Sequence, residues 1–338
     1  MSKRRLRRLK KKEIIEQKPN LKKSLSESSS KIGSKESKQK THKNFFLNLF
    51  DKQYKKLLFI PIILLLLAFA QIGYQYSTTE DLMNKGVSLS GGLTLTVTKL
   101  SDDIDILKIE ETLNKDYPQK DITLRKLSSG LAEASGIVIE IDIFNEDEIN
   151  EFQNYISNLL NINKDLISID VMGPSLGESF FKQALIAMIV ALLLMGIVVF
   201  LYFRTFIPSF AVILAVISNI IITLAIVNLL NIKLSTAGVA AFLMLIGYSV
   251  DSDILLTTKL LKNKNGLVFN RLISAMKTGL TMSITTIIAI TVGLILSQSE
   301  VLTQIMTIML IGLFVDLINT WLQNTAILRL YIEKKGLE

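Results

Sequence analysis

The 338 residues include no cysteine, which excludes disulfides, thiolate metal sites and a cysteine nucleophile. Histidine is almost as scarce. His42 is the only one and lies in a polar stretch, so a histidine metal centre or a Ser-His triad lacks its raw material. No GxxxxGKS or GxxxxGKT loop occurs, which argues against nucleotide hydrolysis by this chain. Charged residues make up only 20% while AVILMFWYC make up 49%, and that imbalance marks an integral membrane protein.

The charge that is present is unevenly placed. Residues 1–56 hold 19 Lys and Arg against 5 Asp and Glu, whereas residues 78–172 hold 18 acids against 8 bases. Residues 1–54 (KRRLRRLKKK, then SLSESSSKIGSKESKQK) are too polar to bury a core, so a disordered basic tail is expected. No aromatic interrupts its basic run. Contact with anionic lipid or ribosomal RNA accounts for the charge as well as a nucleic-acid-binding arm does, and no other nucleic-acid contact is expected.

The first hydrophobic run, Leu57–Gly73, follows Lys55 and Lys56 and predicts a transmembrane helix within residues 55–76. Ala68-Phe69-Ala70 imitates a signal-peptidase site but stands far from residue 1, so an uncleaved anchor is expected. Residues 77–172 contain no spanning run and predict one α+β domain. Val87–Ser90 and Leu93–Thr98 read as strand around Gly91-Gly92, and Ile122–Leu127, Ile137–Phe144 and Leu166–Met172 as further strands. A loop with Ser128, Ser129 and Gly130 separates the middle pair. Asp102–Asn114 and Glu146–Leu160 have helical spacing. The resulting βαββαβ order is the split, ferredoxin-like arrangement.

After GPSLG at Gly173–Gly177 the chain returns to apolar runs, with transmembrane helices 2–6 expected within residues 173–327 and a tail at 328–338. The runs are Phe180–Phe203, Pro208–Leu230, Thr236–Lys259, Leu272–Leu296 and Val301–Gln323. At 1.5 Å per residue each covers about 30 Å. Arg204, Lys259, Lys262, Lys264, Arg271 and Lys277 fall on the same side as both termini, together with Arg329, Lys334 and Lys335. The lysine/arginine bias therefore predicts cytoplasmic termini in a cell membrane, with residues 77–172 outside.

Two acids interrupt the fourth run, FLMLIGYSVDSDILLTTK. An acid at mid-membrane costs roughly 2.5–3.5 kcal/mol on insertion scales, so Asp251 and Asp253 call for a reason. They point about 200° apart and cannot share a face. Ser249, Asp253 and Thr257 form one polar stripe, while Gly247, Asp251 and Thr258 lie along another. Either the acids are structural, satisfied by hydroxyls, backbone or a basic neighbour, or they line an ion pathway. Asp316 heads a similar face with Asn319, Gln323 and Asn324 in DLINTWLQN, which also fits a structural seam between helices. Lys277, at the start of the fifth run, is the best-placed cation for an intramembrane acid and also suits snorkelling to the interface. Gly247 with Tyr248, and Asn319 with Gln323, are the expected packing positions towards a partner helix.

Taken in order, the single α+β domain after the first span, GPSLG, the YFRT turn and GYSVDSD resemble the SecF family of protein-export membrane proteins, relatives of the RND transporters. SVDSDILLTTK and DLINTWLQN resemble its archaeal branch. The resemblance covers about residues 55–330. It implies a non-enzymatic subunit without cofactor or metal, paired with SecD as a heterodimer. Acting after the Sec translocon on exported polypeptides, such a subunit draws on an ion gradient, protons in bacteria. The family's span-four acid pattern falls on Asp251 and Asp253, whereas its bacterial span-five arginine has no exact counterpart, Lys277 being one residue off. Apart from this resemblance, the residues also accommodate a self-sufficient RND-type exporter of lipid or small solutes, or a non-transporting assembly scaffold.

Overall fold

Long apolar runs bounded by charged or turn residues become helices here, and alternating runs become strands. The computed structural model describes residues 54–100, 106–127, 135–262, 267–297 and 299–336. The expected basic tail lies outside the described residues, Tyr54 excepted. Among the described residues, six helical stretches are long and apolar enough to cross a membrane.

A turn of helix at Tyr54–Leu57 leads into α1 (Phe59–Thr79). The inserted domain follows as β1 (Gly92–Leu100), α2 (Ile106–Asp116), β2 (Ile122–Leu127), β3 (Ser135–Ile141), α3 (Glu146–Leu160) and β4 (Ile167–Met172). The sheet order β2-β3-β1-β4, with every pair antiparallel, is the ferredoxin-like topology. Leu93 pairs with Ile141, Leu95 with Ile139 and Val97 with Ile137. With a side-chain period of two, these residues share one face and bury it against Leu113 of α2 and Phe152 and Ile156 of α3. The loop expected at Ser128–Gly130 lies outside the described residues.

Several boundaries differ from expectation: the third strand ends at Ile141 rather than Phe144, and the fifth span starts at Val268 rather than Leu272. Val87–Ser90 is a turn of helix rather than strand, and the strand begins only at Gly92. Gly91 (φ +90°) and Gly92 (φ +132°) make the transition, and a Cβ on Gly92 would stand 2.7 Å from the carbonyl oxygen of Ile141. GPSLG opens a helix rather than preceding one. α4 (Pro174–Phe203) starts with Pro174 in its first turn, six residues before the expected Phe180. Gly177 is needed there because a Cβ would meet the Gly91 nitrogen at 2.8 Å.

The bundle continues with α5 (Phe206–Leu229), α6 (Thr236–Leu261), α7 (Val268–Leu296) and α8 (Glu300–Ile318). α5, α6 and α8 form its buried middle, while α1, α4 and α7 turn most of their apolar side chains outward. That division follows the chemistry. α4 is almost wholly Leu, Ile, Val, Ala and Met through its outer turns and suits lipid, whereas α6 carries Ser249, Asp253 and Thr257, which need protein neighbours.

The last span departs from the expected straight helix at Val301–Gln323. After Ile318 the backbone widens into a π-helical stretch, Asn319–Asn324, and resumes as α9 (Thr325–Lys335). The expected tail from residue 328 is therefore helical through Lys335. Leu328, Tyr331 and Ile332 pack into a cluster with Leu256, Leu260 and Leu272. The Tyr54 hydroxyl donates to the Glu333 carboxylate, and Lys55 lies 3.5 Å from the same group. The two ends of the described chain thus meet at one end of the bundle.

The inserted domain is joined at the other end through backbone. Lys85 and Leu234 form a parallel bridge, in which Gly86 N donates to Leu234 O (2.8 Å) and Leu234 N to Asn84 O (2.7 Å). Asn228 Nδ2 donates to Leu82 O (2.9 Å), and Lys233 pairs with Asp121 at 2.7 Å.

Candidate membrane-embedded acidic site

Helical spacing delivers Ser249, Asp253 and Thr257 to one face of α6, and that face points into the bundle; Asp253 is 0% exposed. Opposite it, Asp316 near the end of α8 is 1% exposed. Asp316 Oδ1 is the acceptor for three donors: the Ser249 hydroxyl, Thr320 Oγ1 (3.3 Å) and Asn219 Nδ2 of α5 (3.4 Å). Asp253 Oδ1 accepts from Asn324 Nδ2 at 2.7 Å.

The π-helical stretch contributes most of the remaining polar groups. Asn319, Thr320, Gln323 and Asn324 are all buried, and Gln323 Nε2 donates to Ser218 Oγ of α5 at 3.2 Å. Such stretches leave the regular hydrogen-bond ladder and recur at functional sites. The seam is only partly satisfied. Asp253 Oδ2, Thr257 Oγ1, Asn324 Oδ1 and both amide atoms of Asn319 are buried without a protein partner. Among the described residues no lysine or arginine forms an ion pair with Asp253 or Asp316.

The remaining candidates lie elsewhere. Asp251 and Gly247 point outward from α6, and nothing stands within 4 Å of where a Gly247 Cβ would be. Tyr248 is half-buried, and its hydroxyl has no partner. Lys277 is exposed on α7, away from the buried acids' hydrogen bonds. Asn319 and Gln323 lie buried inside the chain's own bundle, where Gln323 donates to Ser218 of α5. Sequence reasoning missed the contribution of α5, namely Ser218, Asn219 and Thr223, whose Oγ1 donates to Asn219 Oδ1 at 3.4 Å. The signal was a lone amide inside an otherwise apolar run, VISNIIITL.

Fold and seam define a multi-pass membrane protein whose six-helix bundle encloses two acids and carries one ferredoxin-like domain. The family model described as "Protein export membrane protein SecD/SecF, C-terminal" matches residues 151–334. SecF of Methanocaldococcus jannaschii is 40% identical over 292 residues, spanning 83% of this chain and 96% of that one. SecF of Pyrococcus furiosus is 35% identical, spanning 83% and 92%. The crystal structure of SecDF from Thermus thermophilus superposes with a TM-score of 0.68 at 20% identity, covering 86% of this chain. This chain spans 38% of that longer one. The chain belongs to the SecF family of protein-export membrane proteins, which is a transport family and not an enzyme family.

Proposed function

We propose that this chain is the SecF subunit of a SecD–SecF heterodimer, that it acts after the translocon on exported polypeptides, and that an ion taken up at the Asp253–Asp316 seam drives it. The observation that carries this reading is a pair of buried carboxyls with which no lysine or arginine among the described residues forms an ion pair. A bare buried carboxylate is costly, so the seam is built to take up a proton or small cation and release it again. Asp253 Oδ2 and Thr257 Oγ1, which lack protein partners, offer the next positions along a path towards the Lys259 end of α6.

The partner has a surface to meet. Ala240, Met244, Gly247 and Asp251 line the outward face of α6, and Lys277, Thr278, Thr281 and Thr285 that of the adjoining α7. Lipid does not accommodate an exposed carboxylate at that depth, whereas a second bundle does. Positive loops at the end where Tyr54 and Glu333 meet support a cytoplasmic placing for that end and an external one for the ferredoxin-like domain.

The test is export in vesicles holding this chain and its SecD partner under an imposed ion gradient. Asp253→Asn and Asp316→Asn keep volume and most hydrogen bonds while removing the exchangeable site. Both variants are expected to insert and hold the partner while gradient-stimulated export falls. Export by both at the parent's level refutes the ion role.

A further inference from the structure

Between α1 and α4 the bundle leaves a crevice of about 270 Å³ whose twelve lining residues are all apolar. Both helices lie against α5, but they scarcely touch each other. The gap between them is floored by Ile220 and Leu224 of α5 and by Phe242 of α6. Phe181, Leu185 and Met188 of α4 form one wall and are only half-buried, so the crevice is reachable from outside the bundle. Ile186 and Ile189, on the same helix, are exposed apolar residues facing outward.

We propose that this crevice binds one hydrocarbon chain of a membrane lipid. Three observations choose that occupant. Water has no polar group to hold it there, and an apolar void of this size forfeits contacts along its whole lining. A helix, about 10 Å across, is too thick to enter. The elongated lining, from Ile72 of α1 and Met188 of α4 to Leu82 and Leu234, suits a single thin chain.

The rim shows what the site selects. Lys85 Nζ sits 4.8 Å over the ring of Phe181, but Asp81 already matches its charge at 2.5 Å. The site therefore recognises a chain and is indifferent to the headgroup's charge. It also touches the joint of the inserted domain, because Leu82, Met83 and Leu234 close its upper end. Those residues belong to the two segments whose backbones bridge the domain to the bundle.

The experiment uses the full chain, reconstituted into vesicles of phosphatidylcholine alone or with one quarter phosphatidylglycerol, then extracted in mild detergent for native mass spectrometry. One retained lipid per chain is expected from both vesicle types. Ala184→Trp, which fills the crevice, is expected to lose it, while Ile189→Trp on the outward face keeps it. Met188→Ala enlarges the crevice without blocking it and is expected to keep the lipid, which guards against a misfolded tryptophan variant. Added lipid is expected to raise the melting temperature of the parent and of Met188→Ala, but not that of Ala184→Trp. Loss of lipid from Ile189→Trp as readily as from Ala184→Trp, retention only from the phosphatidylglycerol vesicles, or a retained peptide in place of lipid overturns the proposal.

Discussion

Single residues in this bundle act through what they leave room for as much as through what they bond. Gly279 of α7 faces the only tryptophan, Trp321, and a Cβ there would stand 2.3 Å from Cζ2 of the indole. The indole in turn packs into the cluster of Leu256, Leu260, Leu272 and Leu328. Gly279→Val is expected to push the ring out of this cluster and to destabilise the protein by ~1–3 kcal/mol, the usual cost of overpacking a close contact. A single tryptophan gives an uncluttered reading. Its emission should move to the red and the melting temperature in detergent should fall; unchanged values in both would show that the contact yields freely. The acids follow a similar logic of position. Asp253 and Asp251 are two residues apart, and helix geometry alone sends one into the bundle and the other out of it. That separation was legible in the sequence. The donors on Asp316 were not, because Asn219 lies 97 residues away and only packing brings it there.

Among the elements, those with a sustained period were readable and those that depend on a neighbour were not. Glu146–Leu160 matches α3 at both ends, since Ile149, Phe152 and Ile156 repeat at helical spacing behind an acidic first turn. Ile122–Leu127 matches β2 for the corresponding reason at period two. Val87–Ser90 misleads because four alternating residues also close a single helical turn, and Gly91 decides between them only once Pro174 packs on it. The π-helical stretch leaves no mark on composition, because Asn319–Asn324 reads equally well as ordinary helix. It can be tested directly. A π-bulge accommodates one extra residue in an α-helix, so deleting the less buried Leu322 restores the regular ladder while α9 keeps its place. The deletion is expected to preserve expression and melting temperature within a few degrees, to move Asn324 off Asp253, and to lower gradient-stimulated export. Full export by the deletion variant would remove the bulge from the functional site.

For the molecule as a whole, the predicted orientation rests on loop charge, and the absence of cysteine makes it simple to measure. Asp147 lies on the inserted domain and Lys334 near the end of α9, both exposed. Asp147→Cys is expected to react with a membrane-impermeant maleimide on intact cells, and Lys334→Cys only after the membrane is opened. Equal labelling of both in intact cells would overturn the six-span topology with cytoplasmic ends.

The joint at Leu234 connects the helix that carries Asp253 to the inserted domain. Leu234 stands one residue before the N-cap of α6; its backbone is bonded to Asn84 and Gly86, and its side chain is buried with Met83 and Phe242. The rod itself begins at Thr236, and Asp253 is 17 residues further along it, about 26 Å at 1.5 Å per residue. On the proposed reading, any roll or slide of α6 on loading of the carboxyl would reach the segment leading to β1 through backbone hydrogen bonds. Such a linkage would behave as a pushrod, whose amides survive substitution of the side chains at the tether positions.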